Sequence, residues 1–438
     1  MTEITEQKVA LTLSDEQQRA FDLIESTDQN QLIIGKPGVG KSVLIRHLTT
    51  VGQKHYVIAA PTGLAALNIG GKTLHSIFGI TPSEGIFQHD YNRFTNNPNI
   101  INYIQHRVNH VIIDEISMVR ADMLDYIDRE LRQIKNVDKP FGGVQIIAFG
   151  DFFQLPPVAK SSDVKELKED GYASEFAFDS RVFKNNFNVT ILNQVHRQSD
   201  PVFLGLLDAM RNDKVTAKHM VMLNKLIGSS NDLRIKLTPL NRQADVVNQS
   251  ELKAIQQPSE TYEATKFGYW PANPIDQLTL KVGAQIMVKK NSADRPPQLR
   301  GSFDSKVVNG TLGKVIELPN EQQPYIKIEL ETGETANIYK ARWERREKEK
   351  IDGVWSEKIV ASYEQYPVQL AWAISIHKSQ GQTFEKVHIT PKSVFAAGQF
   401  YVALSRAKSL EGVLLDGPVS QRTFMVDKRV LQFVNQFN

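Results

Sequence analysis

The sequence predicts an α/β protein built on parallel sheets and interrupted late in the chain by a small antiparallel β domain. Three observations predict it. A glycine-rich turn near the N-terminus stands between an apolar run and a helical stretch. Two further apolar runs, 108–113 and 144–149, each end in a cluster of polar residues. From about 261 to 367 the texture changes to short alternating segments separated by turns such as Asn309-Gly310. Strands that alternate with helices, with polar groups gathered after the strands, place a site at one edge of a parallel sheet.

The turn is Gly35-Lys36-Pro37-Gly38-Val39-Gly40-Lys41-Ser42, after Gln31–Ile34 and before Val43–Leu48. Strand, GxxxxGKS and helix form a P-loop. Gly35, Gly38 and Gly40 let backbone N–H groups turn inward, and the helix N-terminus adds partial positive charge, so a polyphosphate can be held. Lys41 would reach the β- and γ-phosphates, and the Ser42 hydroxyl would help hold Mg²⁺. The signal for a nucleotide is strong; for what the nucleotide drives, it is weak.

Bulk properties bound the rest. The 438 residues suffice for two or three domains with real cores. The absence of cysteine excludes disulfides and cysteine-ligated zinc and fits a cytoplasmic protein. The start, Met1 to Glu6, is acidic and polar, unlike a secretory signal, and no apolar run approaches a membrane span. A net charge of +3 does not identify a nucleic-acid binder, so any basic track is expected to be local.

Upstream of the P-loop, Ser14 and Gln17 have the spacing of a capping box on a helix from about 15 to 26. Capping alone accounts for Gln17, although its amide could also pair with an adenine edge. Tyr56–Ala60 reads as a buried strand running into Pro61-Thr62-Gly63, and residues 79–109 break the rhythm as a polar insertion with scattered aromatics. Those aromatics either pack locally or contact bases. The run 108–113 ends at Asp114-Glu115, in the manner of a Walker B element: one carboxylate can hold Mg²⁺ through water and its neighbour can activate the attacking water. Residues 121–134 present a helical apolar stripe of Met123, Leu124, Ile127, Leu131 and Ile134. The third run leads to Gly150-Asp151-Phe152-Phe153-Gln154, where Gln154 could sense the γ-phosphate or simply occupy a turn.

Residues 189–192 form a strand, and a helix follows with Asp200 as N-cap, Pro201 at its first position and Phe203, Leu206, Leu207 and Met210 on one face. Arg197 lies between the two and, taken alone, reads as a surface arginine. A second α/β lobe is expected over 189–260 and 368–438, around the antiparallel barrel or sandwich at 261–367. The alternating charges from Arg342 to Lys350 read as a solvated helix or ribbon. Arg406, on an otherwise apolar helix, needs an anion if it faces inward, and a phosphate suits it.

By these residues the chain resembles superfamily-one DNA helicases of the PIF-type and RecD-like branch. The resemblance rests on LSDEQ with Gln17, GKPGVGKS, APTGLAALNIGGKTLHS, DEIS, GDFFQLPP, FAFDSRVF, LNQVHRQSDPVFLGLLDAMRND, VVNGTLGKV, AISIHKSQGQTF and YVALSRAKS, in that order over nearly the whole chain. Lys36-Pro37 departs from the smaller residues more usual in the family.

The resemblance implies two RecA-like lobes, the first over 1–188, with ATP between them and single-stranded DNA across their tops. It implies that the 261–367 domain is a Src-homology-like β-barrel and that the 79–109 insertion contains a wedge. Gln17 would read adenine, Ser42 and Asp114 would hold Mg²⁺, Glu115 would serve the water, Gln154 would report on the γ-phosphate, and Arg197 and Arg406 would act as arginine fingers. Thr62, Thr73, His75, His377 and Thr383 would clamp the DNA backbone. The implied activity is ATP-driven 5′→3′ translocation and unwinding in replication, repair or recombination. A nucleotide-gated clamp without processive unwinding is the alternative, and a P-loop kinase or switch GTPase leaves the two lobes unexplained. Single-stranded and forked DNA are the implied partners, with four-stranded guanine DNA and RNA–DNA hybrids also open. A monomeric, cytoplasmic protein of bacterial or phage origin is expected.

Overall fold

The computed structural model describes residues 13–80, 98–195, 200–230, 232–270, 276–290, 293, 307–351 and 354–437. The chain divides into two compact units, Met1–Met220 with Phe395–Ser405 and Ser420–Asn438, and Val221–Val394 with Arg406–Val419.

The first unit is organised by a six-stranded sheet of β1 (Asn30–Gly35), β2 (Tyr56–Ala60), β3 (Lys72–Thr73), β4 (His110–Ile113), β5 (Gln145–Gly150) and β6 (Phe187–Leu192). Its order is β3-β2-β4-β5-β1-β6, and every pairing is parallel. β1 and β5 are buried along their whole length, which is why they read as unbroken apolar runs. The chain leaves β1 for β2, three places away, so the ends of β1, β5 and β4 lie side by side at a crevice. Helices α1 (Asp15–Ser26) and α2 (Lys41–Val51) pack on the sheet, with Ala20, Ile24, Leu44, Ile45 and Leu48 in one apolar cluster with Ile33, Ile112 and Ile147. The expected stripe on helix Ala121–Lys135 is buried in full.

The first unit extends beyond the expected limit at 188, for two physical reasons. β6 pairs with β1 over six residues, from Asn30↔Phe187 to Gly35↔Leu192. Near the C-terminus, Phe433 stacks on Phe178 at 4.3 Å between ring centres, and Arg429 pairs with Glu175 at 3.0 Å. Helix Pro201–Arg211 belongs to this unit too, with the expected N-cap of Asp200 accepting from Val202 N–H at 2.8 Å. Of the 79–109 insertion, residues 81–97 lie outside the described residues, and helix Pro98–Arg107 follows them.

The second unit contains a four-stranded parallel sheet in the order Ala373–Ser375, Ile235–Thr238, Val387–Ile389, Val413–Leu415. Asn248, on helix Asn241–Ala254, bonds both the N–H and the carbonyl of Ala373 at 2.8 Å, fixing that edge strand. The inserted strands are antiparallel, as expected. Among the described residues they form separate open sheets rather than a closed one. Five strands run Thr335–Tyr339, Tyr325–Leu330, Leu312–Glu317, Gln285–Val288, Val368–Leu370 around a core of Ile286, Val315, Ile326, Ile328 and Ile338. The last of these strands begins past the expected boundary at 367. The charge run forms one strand of a long ribbon, Ala341–Ile351 with Val354–Gln365, so it is a ribbon and not a helix.

Candidate active site

The turn after β1 is shaped by its glycines. Gly38 and Gly40 take φ of 86° and 78°, and a Cβ on Gly40 would come within 2.2 Å of Gln17 Nε2. Gly40 is the N-cap of α2 and has no side chain to cap it, so the first N–H groups of the helix are left for an anion. Lys41 folds back over the turn, donating to the carbonyls of Gly35 at 2.6 Å and Lys36 at 3.2 Å. Burial pulls its ammonium below the ordinary lysine value, while the carboxylates of Asp151, Glu115 and Asp114 pull the other way. Those acids follow β5 and β4, so the strand order gathers them around the lysine.

Asp114 is buried, and burial raises its carboxyl above the usual range against the opposing effects of the Glu115 N–H and Lys41. Glu115 has φ of 52°, a left-handed backbone that costs a non-glycine residue roughly 1 kcal/mol. Strain of this kind is held where surrounding structure over-determines it. The donor set fits a hard cation: Ser42 contributes a hydroxyl beside Lys41, and Asp114 a carboxylate at the same sheet edge.

Gln154 lies in the loop after β5 and is buried. Its Nε2 donates to Asp151 Oδ2 at 3.5 Å, and its Oε1 has no hydrogen-bond partner among the described residues. Asp151 is a hub that sequence reasoning missed. Fully buried, it meets Arg211 at 3.5 Å, accepts from the Tyr401 hydroxyl at 3.2 Å and accepts from Phe153 N–H at 3.3 Å. Gly398, at φ 76°, packs so closely on this loop that a Cβ would meet Gln154 O at 2.3 Å.

Gln17 forms the capping box. Its Oε1 accepts from Ser14 N–H at 2.9 Å, and its Nε2 donates to the P-loop carbonyls of Val39 at 2.9 Å and Gly40 at 3.4 Å. In this geometry the amide steadies the P-loop.

The expected DNA contacts fall at strand ends. Thr62 follows β2 and accepts from Ala65 N–H, and Thr73 ends β3 and caps helix Leu74–Phe78. Ala60 and Thr73 are register partners, so these residues and His75 share one sheet edge. In the second unit, His377 and Thr383 follow strand Ala373–Ser375, and Arg406 donates to the carbonyls of Ser379 at 3.5 Å and Gln382 at 3.3 Å. Burial lowers both His75 and His377, favouring neutral imidazoles. Arg197 lies outside the described residues.

Comparison with known proteins fixes the family. A model described as PIF1-like helicase matches residues 12–219. The ATP-dependent DNA helicase Pif1 of Bdellovibrio bacteriovorus is 32% identical, over 98% of this chain and 92% of its own length. The chain belongs to the PIF1-like helicases. The ATP-dependent DNA helicase PIF1 of Danio rerio, another relative, is 34% identical over 97% of this chain, which spans only 63% of that longer protein. Among solved structures, Bacteroides sp Pif1 in complex with ADP-AlF4 matches with a TM-score of 0.84 and 34% identity, covering 98% of this chain and 97% of its own. The same Bacteroides protein bound to single-stranded DNA matches with a TM-score of 0.69.

One further lysine of this PIF1-like chain has a shifted ammonium that the sequence did not announce. Burial, reinforced by the neighbouring charge of Lys378, lowers the Lys289 ammonium to about 8. Nothing in the run Met287-Val288-Lys289-Lys290 distinguishes it from a surface lysine, because its partner is 89 positions further on.

Proposed function

We propose that this chain is an ATP- and Mg²⁺-dependent motor that moves 5′→3′ along single-stranded DNA and separates the duplex at a fork. The observation that carries this reading is the gathering of Lys41, Asp114, Glu115 and the Asp151–Gln154 loop at one edge of a parallel sheet, in a PIF1-like chain. The glycine turn and Lys41 hold the phosphates. Ser42 and Asp114 hold Mg²⁺, which supplies positive charge to the β- and γ-phosphates. Glu115 accepts the proton of the attacking water, and the unpartnered Oε1 of Gln154 orients that water. Gln17 keeps the P-loop in place and lies at the adenine end. Arg197 and Arg406 neutralise the charge that builds during phosphoryl transfer.

Thr62, Thr73, His75, His377 and Thr383 contact the DNA backbone. Each histidine can donate an imidazole N–H to a phosphate, a contact that positions the strand without reading its sequence. In this reading the antiparallel insertion is a barrel-like module over the strand, and the protein works as a cytoplasmic monomer. Single-stranded and forked DNA are its partners, with four-stranded guanine DNA and RNA–DNA hybrids as further substrates. The test is ATP hydrolysis with and without single-stranded DNA. A marked stimulation is expected, and equal rates would refute the motor.

A further inference from the structure

Helix Pro201–Arg211 sends two charged side chains into loops of the nucleotide site. Asp208 Oδ1 lies 2.5 Å from Nζ of Lys36, the second residue of the P-loop. Arg211 meets Asp151 at 3.5 Å and lays its guanidinium 4.5 Å from the centre of the Phe153 ring. Three residues apart on a helix, Asp208 and Arg211 share a face, so one rigid element addresses both loops. The helix itself is anchored by Phe203, Leu206, Leu207 and Met210, all buried.

The two contacts reach different functional atoms. Lys36 is tied to Asp208 through its side chain, while its carbonyl accepts from Lys41 Nζ at 3.2 Å. The ion pair therefore holds the segment of backbone on which the phosphate-binding lysine rests. At the other contact, Asp151 takes the donor end of the Gln154 amide, and the buried acceptor end has no partner among the described residues. Arg211 neutralises Asp151 and fixes the carboxylate that sets this orientation. A small residue at position 36 could make no such tie.

We infer that helix Pro201–Arg211 is a positioning element of the nucleotide site, in which Lys36 and Asp208 set the P-loop for nucleotide binding and Arg211 with Asp151 sets Gln154 for turnover. The inference rests on the ATPase reading above. Its signature is a separation of kinetic parameters along one helix, which a merely structural helix would not give.

The test uses the full chain, saturating single-stranded DNA, steady-state ATP hydrolysis and binding of a fluorescent ATP analogue. Because the Lys36–Asp208 pair is partly exposed, Lys36→Ala and Asp208→Ala should each raise KM and analogue Kd about two- to fivefold, with kcat little changed. The swap Lys36→Asp with Asp208→Lys should restore both. Arg211→Lys, which keeps the buried charge but not the planar fork, should lower kcat roughly tenfold with KM nearly unchanged. Gln154→Ala should give the same loss without adding to it. That second variant carries the test if Arg211→Lys does not fold. Wild-type affinity in Lys36→Ala, failure of the swap, or an effect of both Arg211→Lys and Gln154→Ala on KM alone would overturn the inference. Lys41→Ala separates the two levels: if it still hydrolyses ATP, the assignment of hydrolysis to the site around Lys41 fails; if it is dead while Lys36→Ala is normal, only this inference fails.

Discussion

The backbone N–H of Glu115 donates to Asp114 Oδ1 at 2.9 Å. This bond turns the Asp114 carboxylate back onto the following peptide, while Glu115 itself takes a left-handed backbone. Two consecutive acids thereby acquire separate environments. Glu115→Gln should keep the binding of ATP and single-stranded DNA and lose turnover by about 10²- to 10⁴-fold, the usual worth of a general base. Turnover at the wild-type rate in a single-turnover assay would remove Glu115 from that role.

Lys41 makes a stability prediction as well as a functional one. Its folded-state value is lowered by burial, so below that value the fold bears the cost of a buried charge. Between the lowered value and the ordinary 10.5, the unfolded chain binds more protons than the folded one, and stability rises with pH. Lys41→Met should therefore melt above wild type without nucleotide at about pH 7, and the gap should narrow as pH approaches the ordinary lysine value. The variant should also lose ATP binding. A variant less stable than wild type at neutral pH would contradict the assignment.

Burial and the charge of Lys378, the neighbour of His377, lower Lys289 to about 8, so a phosphate contact by Lys289 would make DNA binding sensitive to mild alkali. Below that value it is charged and attracts phosphate; above it the charge is lost. Affinity for single-stranded DNA, measured by anisotropy, should fall as pH rises through about 8, and Lys289→Ala should flatten that profile. Losing one phosphate contact should also reduce the salt dependence of binding by about 0.7 in log–log slope. An unchanged pH profile in the variant would place Lys289 away from DNA.

How much was legible in the sequence depended on how local the interaction is. The P-loop, the acids after β4 and the Asp200–Pro201 helix start are contiguous, and all were readable. So was the capping box, though nothing in the sequence told that Gln17 also holds the carbonyls of Val39 and Gly40. Residues 189–192 announced a strand but not which sheet it joins; pairing with β1 decides that. Asp151, Arg211 and Tyr401 were opaque for the same reason, since their contacts span 60 and 250 positions. Each is an unremarkable residue until the fold puts a buried charge beside it.

Arg406 is almost wholly buried, and two backbone carbonyls orient its guanidinium. Arg406→Lys should lower the ATPase rate by about 10³-fold or more, the range of an arginine finger, because lysine cannot reproduce the planar fork. Affinity for single-stranded DNA without nucleotide should be little changed. A normal ATPase rate would assign Arg406 a purely structural role.

The central claim is directional movement on DNA driven by the site around Lys41, and a forked duplex with one single-stranded tail tests it most directly. With ATP and Mg²⁺, strand separation is expected from the fork with a 5′ tail and not from the fork with a 3′ tail, and Glu115→Gln should abolish it. ATP hydrolysis stimulated by DNA without separation of either fork would make the protein a nucleotide-gated clamp, and separation of the 3′-tailed fork alone would reverse the proposed direction.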